Sequence, residues 1–161
     1  MSGAKPSGSV ERVRAALLAA GHADTITAAP EGARTAAEAA AAVGCDVAQI
    51  IKSLVFRAGE EAVLVIASGA NRVDPAKVAA IVGAPIGRAD AAFVREKTGF
   101  AIGGVAPVGH LAPPRTLFDR DLLALDPIWA AAGSPSQVFR TSAEALLRIT
   151  GGTLADIREA G

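Results

Sequence analysis

Hydrophobic positions follow helical spacing near the start of the chain and strand-like runs in its centre. Val13, Leu17 and Leu18 recur at helical spacing within residues 11–20 and predict an amphipathic helix that stops at Gly21. Residues 52–57 and 62–67 are rich in β-branched and other apolar side chains, and the turn residues 59–61 separate them. This pattern predicts a β-hairpin.

Capping signals divide the rest of the chain into short elements. Thr35 with Glu38 three residues later predicts a capping box for a helix that ends at Gly44, and Asp46 with Gln49 repeats it in a shorter form. Further caps predict helices over 75–82 and 90–98 and one that Thr141 and Ser142 open and Gly151 ends. Short strands are predicted at 25–27, 116–118, 128–131, 137–140 and 153–157.

These short strands and helices are mixed without strict βαβ alternation. The mixture favours an α/β mixed (α+β) fold, with a largely antiparallel sheet and surrounding helices. A length of 161 residues suits one domain that can bury a real core. We expect a flexible leader over residues 1–9 and a single domain over 10–161.

Composition and charge exclude several function classes. Hydrophobic residues make up 51% of the chain, yet no apolar run approaches the roughly 18–20 residues of a membrane span. The polar start lacks the apolar segment of a secretory signal, so we expect a cytoplasmic protein. Sixteen basic residues balance sixteen acidic ones, which argues against a dedicated binder of duplex DNA but permits recognition of one nucleic-acid end.

Cysteine and histidine are too sparse for a metal centre built by the protein. The single Cys45 excludes an intrachain disulfide and a cysteine-cluster site. The two histidines, His22 and His110, have no zinc-ligand spacing. We therefore expect neither a metal nor a cofactor.

A loop rich in glycine and proline follows Ala101-Ile102. It reads Gly-Gly-Val-Ala-Pro-Val-Gly-His, and we call residues 103–110 the glycine–proline loop. Glycine lets backbone approach a ligand closely, and proline removes flexibility. The loop is therefore expected to expose its backbone, either as a cradle for developing negative charge or as a tight connection between two strands.

Lys52 stands in the apolar segment Ile-Ile-Lys-Ser-Leu-Val-Phe at residues 50–56. Lysine is seldom buried without a partner, so one interpretation is an edge-strand lysine that points to solvent. The other is a cation at the floor of a pocket, where it holds a phosphate or the charge that develops on an ester. Together with the glycine–proline loop, Lys52 favours a small anionic or ester-bearing ligand.

Two further positions belong to the candidate site. His110 is either a general acid or base, since its unperturbed pKa lies near neutrality, or an ordinary loop histidine. Gly133 and Ser134 begin a second small-residue loop that suits a pocket wall or a plain turn. No G-x-S-x-G, P-loop or paired-carboxylate pattern is present, so common hydrolase nucleophiles and nucleoside-triphosphate chemistry have no support.

Four segments, taken in order, resemble the YbaK/EbsC family, which shares its domain with the editing insertion of bacterial prolyl-tRNA synthetase. They are residues 35–40, 49–54, 103–109 and 139–140, with the sequences Thr-Ala-Ala-Glu-Ala-Ala, Gln-Ile-Ile-Lys-Ser-Leu, Gly-Gly-Val-Ala-Pro-Val-Gly and Phe-Arg. The lysine-bearing strand and the G-x-x-x-P pattern from Gly103 to Pro107 are the specific parts of a resemblance that runs from about residue 25 to 157.

The resemblance implies a mixed α/β domain with a curved sheet and a small pocket. It implies hydrolysis of the ester that joins a wrong amino acid to tRNA, typically alanine or cysteine on proline tRNA. Lys52 matches the family lysine, expected to contact the terminal adenosine phosphate or to polarise the substrate. The expected loop residues at the ester and the attacking water are Gly103, Gly104, Val105, Ala106 and Pro107, with Gly109, His110, Gly133 and Ser134 at the substrate.

The leading hypothesis is therefore a free-standing deacylase that acts in trans on mischarged tRNA. Its expected partner is the aminoacylated acceptor end, with an aminoacyl-tRNA synthetase as a candidate second partner. One alternative is a non-catalytic module that binds nucleotides or tRNA ends. Another is a regulatory protein that keeps the fold without the activity.

Overall fold

The structure is a computed structural model and describes residues 8–28, 35–102, 104–134 and 136–160. Within these ranges it contains five α-helices: α1 (Ser9–Ala19), α2 (Ala36–Val43), α3 (Pro75–Val82), α4 (Ala91–Thr98) and α5 (Ala143–Thr150). The strands described there are β1 (Ile26–Ala28), β2 (Ile51–Ala58), β3 (Glu61–Ser68), β4 (Gly87–Arg88), β5 (Arg115–Asp119), β6 (Ile128–Ser134), β7 (Gln137–Thr141) and β8 (Thr153–Ala155). Short 3-10 turns span Val47–Gln49 and Arg120–Ala124.

The strands form two sheets. The larger sheet has the order β4-β2-β3-β5-β8, in which β4, β2 and β3 are antiparallel while β5 joins β3, and β8 joins β5, in parallel. The smaller sheet, β1-β7-β6, is antiparallel throughout. The predicted mixed α/β class is confirmed, and most strand pairings in the described residues are antiparallel as expected.

The central strand β3 separates two hydrophobic cores. Leu64 and Ile66 pack into the main core with residues of α1, α4, α5 and the smaller sheet. Val63 and Val65 pack on the opposite face against Val78 of α3. A strand buried on both faces needs a continuous apolar run, which explains why residues 62–67 contain no polar side chain.

Helix caps agree with the sequence in most places. Thr35 Oγ1 accepts a hydrogen bond from the N–H of Glu38 at 3.1 Å, and Glu38 Oε1 accepts one from the N–H of Thr35 at 3.0 Å, so the capping box is confirmed. The assignment of Thr141 as a cap is wrong. Ser142 caps α5 by accepting from the N–H of Ala145 at 3.1 Å, whereas Thr141 ends β7.

The first helix begins slightly earlier than predicted. Gly8 is its N-cap and Ser9 its first residue, so position 9 belongs to α1 rather than to a leader. Residues 1–7 of the expected leader lie outside the described residues. α1 packs against β6 and places Val13 and Leu17 in the main core, which explains their helical spacing.

Candidate active site

Lys52 lies in the N-terminal half of β2, opposite Ala67 of β3. Its side chain is half-buried, and its Nζ donates a hydrogen bond to the carbonyl of Asn71 at 2.6 Å. The interpretation of a lysine that points freely to solvent is therefore wrong. An ammonium carries three N–H donors, and this bond is the one that Lys52 makes with the residues that the structure describes, so the group can also donate to a ligand.

A buried carboxylate fixes Asn71 in turn. Asn71 Nδ2 donates to Asp119 Oδ2 at 2.8 Å and to Asp121 Oδ2 at 2.9 Å. Asp119 is only 1% exposed, and it also accepts from the N–H groups of Ser68 and Asp121 at 3.0 Å. Sequence reasoning missed this network, because the one signal was a carboxylate at the end of an apolar strand.

The described part of the glycine–proline loop, residues 104–110, is more buried than its composition suggested. Residues 104–108 are all buried, with Ala106 fully so. The N–H of Gly104 already donates to the carbonyl of Ala101 at 2.9 Å. The expectation of an exposed backbone is therefore wrong for residues 104–108, while Gly103 lies outside the described residues and its role stays a prediction.

A cavity of about 570 Å³ lies between the loop and β2. Ser53 and its neighbours on β2 line one side, and Val105 of the loop lines another. Most other lining residues are apolar, and they come from α3, α4, β4 with the positions on either side of it, and Ile102. We call this space the strand–loop cavity. Lys52 is not one of its lining residues, and successive side chains of a strand point to opposite faces, so the side chain of Lys52 leaves β2 on the other face from that of Ser53. The lysine-bearing strand and the loop therefore meet at one cavity, while Lys52 itself lies beside it.

Two polar side chains of the strand–loop cavity escaped the sequence analysis. Arg88 is exposed, is placed by the pairing of β4 with Phe56 of β2, and forms no ion pair with any residue that the structure describes. Ser53 Oγ is buried and has no hydrogen-bond partner among the described residues. A two-residue strand and a serine within an apolar run carry no periodic signal that would mark either one.

His110 contacts the loop itself. Its Nε2 donates to the carbonyl of Ala106 at 2.7 Å, and its ring meets the ring of Phe100 edge-on at 5.0 Å between centroids. Burial lowers the pKa of His110; the bond to Ala106 opposes this shift, and the charge of Arg12 adds to it. Burial thus favours the neutral imidazole, in which Nε2 carries the proton that it donates to Ala106. This geometry is that of an anchor for the loop.

The loop separates the strand–loop cavity from a second one. Pro107, Gly109 and His110 line a cavity of about 410 Å³ that α1 and α5 also border, whereas Val105 lines the strand–loop cavity. Of the residues predicted to contact substrate, Gly109 and His110 thus lie on the other side of the loop from Ser53. Their predicted contact with substrate stays a prediction.

Gly133 and Ser134 belong to the end of β6 rather than to a loop. A Cβ atom at Gly133 would lie 2.8 Å from the backbone of Ser9, so α1 crosses β6 at this point. Ser134 Oγ lies 3.0 Å from Ser136 Oγ. Neither residue lines the two cavities described above, and their role as a pocket wall stays a prediction.

The described ranges contain no group of three or more His, Cys, Asp or Glu side chains placed to hold a metal ion. Burial raises the pKa of the Cys45 thiol, and the thiol form is a poor nucleophile and ligand. No helix in these ranges is long and apolar enough to cross a membrane.

Comparison with known proteins identifies this arrangement. The aminoacyl-tRNA editing domain family matches residues 30–149, which is most of the chain. The chain belongs to this family. The match includes Lys52 and the glycine–proline loop but not α1. The resemblance to the YbaK/EbsC family is thereby confirmed, and with it aminoacyl-tRNA editing as the general class.

Solved structures resemble this editing domain over nearly its whole length. The crystal structure of a candidate trans-editing enzyme for prolyl tRNA synthetase matches with a TM-score of 0.91 at 45% identity, covering 97% of this chain and 100% of that one. The hypothetical protein APE2540 matches with a TM-score of 0.84 at 28% identity, covering 92% and 99%. The uncharacterized protein YwhH of Bacillus subtilis (strain 168) is 30% identical over 113 residues, 70% of this chain and 72% of that protein.

Proposed function

We propose that this editing domain is a free-standing deacylase that hydrolyses, in trans, the ester of a mischarged tRNA. The observation that carries the proposal is the strand–loop cavity, because the lysine strand and the glycine–proline loop of an editing domain both border it. The proposed substrate is a small amino acid such as alanine or cysteine on proline tRNA. The 45% identical candidate trans-editing enzyme for prolyl tRNA synthetase supports the choice of proline tRNA.

The proposed reaction needs no nucleophile from the protein. An aminoacyl ester is already activated, so positioning a water molecule and stabilising the oxyanion can supply much of the rate. Lys52 lies beside the cavity rather than in its lining, and its ammonium can donate to the substrate phosphate or to the developing negative charge in addition to the Asn71 carbonyl. Ser53 Oγ, the hydroxyl nearest to this lysine in sequence, is buried, which favours attack by water.

The cavity also bears on substrate size. A volume of about 570 Å³ falls within the range of small-molecule sites and exceeds what one small side chain fills. We therefore propose that it receives the aminoacyl group together with part of the terminal ribose. One methylene discriminates by only about 1–3 kcal/mol, so exclusion of proline requires a local steric block rather than the total volume.

Arg88 is the proposed contact to the acceptor end. Its guanidinium is the charged group among the described lining residues, and phosphate accepts two parallel N–H bonds from guanidinium. Because the net charge of the chain is zero, a synthetase partner that supplies further tRNA affinity is consistent with the proposal. The proposed compartment is the cytoplasm, where mischarged tRNA is made.

A deacylation screen over a panel of mischarged tRNAs tests the proposal. The wild-type protein is expected to release one or a few small amino acids. Lys52→Ala is expected to lower kcat/KM on the order of 10²–10³-fold, as for loss of a group that stabilises developing charge. Lys77→Ala is the matched control, since Lys77 bonds to Asp156 and to the Arg158 carbonyl instead.

Circular dichroism establishes that both lysine variants are folded at the assay temperature. Parental activity in Lys52→Ala would show that the proposed site is wrong. Binding of the acceptor end without turnover on any mischarged tRNA would favour the non-catalytic module instead.

A further inference from the structure

Arg12 of α1 joins the end of α4 to the C-terminal part of the glycine–proline loop. Its Nη2 donates to the carbonyl of Gly99 at 2.7 Å, and its Nε donates to the carbonyl of Gly109 at 3.3 Å. Gly99 precedes the loop and Gly109 lies near its end. One guanidinium therefore bridges two backbone positions ten residues apart, from a helix that lies outside the family match.

The same guanidinium begins a chain of contacts that leads into the loop. Its Cζ lies 4.9 Å from the centroid of the fully buried Phe100 ring. Phe100 meets the ring of His110, and His110 Nε2 donates to the carbonyl of Ala106. Ala106 directly follows Val105, whose side chain lines the strand–loop cavity. Arg12 is thus linked to the cavity wall through three consecutive contacts.

The backbone of α1 also presses against the end of the loop. Gly109 has a φ of +81°, and a Cβ atom there would lie 3.1 Å from the carbonyl group of Arg12 and from Val13 Cα. Only glycine combines this left-handed conformation with so close an approach. The loop is therefore held by α1 through backbone packing and through the Arg12 side chain.

We propose that Arg12 is a positioning residue for deacylation, which ties the C-terminal part of the glycine–proline loop to the end of α4 so that Val105 and its neighbours keep their place at the strand–loop cavity. The proposal rests on the proposed function. Arginine suits this role because its planar guanidinium presents several donors in a fixed fork, whereas lysine offers a compact point charge. Arg12→Lys is therefore not a conservative change here.

Steady-state kinetics on the best mischarged tRNA tests the proposal. Arg12→Ala and Arg12→Lys are expected to lower kcat on the order of 10- to 100-fold, since small displacements of positioning groups have effects of this size. The KM is expected to stay within about twofold, because Arg12 does not line the strand–loop cavity. Arg14→Ala is the matched control on the same helix, since Arg14 pairs with Glu11 and Asp24.

A second measurement separates positioning from a general loss of stability. The chain has only two histidines, so the His110 imidazole can be followed by NMR. Loss of the Arg12 charge is expected to raise the pKa of His110 in Arg12→Ala, and Arg14→Ala is expected to leave it unchanged. All variants are compared at a temperature where circular dichroism shows them fully folded.

The outcomes distinguish this inference from the proposed function. If the wild-type protein deacylates no mischarged tRNA, the proposed function fails and Arg12 has no such role. If the wild type is active and the folded Arg12 variants keep its kcat, or lose no more than Arg14→Ala does, this inference alone is overturned. A drop in kcat in both Arg12 variants with a shifted His110 pKa in Arg12→Ala supports it.

Discussion

The ammonium of Lys52 bonds to a backbone carbonyl, so its position depends on the segment that follows β3. That segment is fixed by Asp119, which accepts from the Asn71 side chain and from the N–H of Ser68. A buried acceptor that satisfies several donors is expensive to replace, because each orphaned donor loses its water as well as its partner. Lys52 is therefore a half-buried cation whose position depends on a buried hydrogen-bond network.

Asp119→Asn is expected to lower the free energy of unfolding by about 1–3 kcal/mol, because the amide presents a donor to groups that are themselves donors. It is also expected to lower kcat through displacement of Asn71 and Lys52. Urea denaturation measures the first effect and deacylation the second. Asp156→Asn, which removes an exposed carboxylate, serves as control and is expected to leave both near the parental values. Equal stability of Asp119→Asn and wild type would contradict the assigned network.

The glycine–proline loop has no regular secondary structure, so its conformation is fixed by side-chain and backbone contacts. α1 packs on Gly109, and His110 donates a hydrogen bond to the carbonyl of Ala106 in the same loop. Partial burial of the His110 ring lowers its pKa, because it disfavours the charged imidazolium. The protonation state of one histidine is therefore coupled to the stability of the loop.

The sign of this coupling follows from the lowered pKa of His110. As pH falls below the unperturbed value of about 6.5, the unfolded chain binds a proton that the folded chain does not yet take up. The free energy of unfolding is therefore expected to decrease as pH falls from about 7.5 towards the lowered folded-state pKa of His110. In His110→Gln, the amide can still donate to the carbonyl of Ala106, but this part of the pH dependence of the free energy of unfolding should be absent.

Denaturation curves of the wild type and His110→Gln at a series of pH values give the free energy of unfolding as a function of pH for each protein. The difference between the two slopes is the contribution of His110. The carboxylates are common to both proteins and cancel in that difference. Identical slopes would mean that His110 titrates in the folded protein as it does in the unfolded chain.

The whole molecule has no net charge with which to attract tRNA, so affinity must come from local groups. Basic and acidic residues number sixteen each, and Arg88 stands at the strand–loop cavity without an ion pair in the described residues. A phosphate contact at a single-stranded end contributes about 0.7 to the slope of log affinity against log salt concentration. The long-range field of the protein contributes little beside it.

Arg88→Ala is expected to raise the KM for mischarged tRNA several-fold, and to make the salt dependence of kcat/KM shallower by about 0.7. The kcat at saturating tRNA should change little, because the contact is made before and during the reaction alike. Arg148→Ala on α5, which also removes an exposed arginine, is the control. An unchanged salt slope in Arg88→Ala would exclude a phosphate contact at this position.

The sequence by itself determined the element types and most of their limits. Capping residues and apolar spacing are local signals, and local signals suffice for α2, α3, α4 and the β2–β3 hairpin. It also determined the family, since Lys52 and the G-x-x-x-P pattern stand in the expected order. The sequence did not reveal elements that are too short to show a periodic pattern, such as β4. It also did not reveal that β6 continues through small residues to Ser134.

Only the tertiary structure decided how the site is assembled. Burial of residues 104–108 was decided by tertiary packing. The bond from Asn71 to Asp119 and the bonds from Arg12 to Gly99 and Gly109 join residues 48 to 97 positions apart in sequence. Hydrogen bonds of this kind depend on which elements pack together, and no spacing along the chain encodes that. Composition suggested an exposed glycine-rich backbone, but Val105, Ala106 and Val108 belong to the main core, because removing apolar surface from water outweighs the local preference of a loop for solvent.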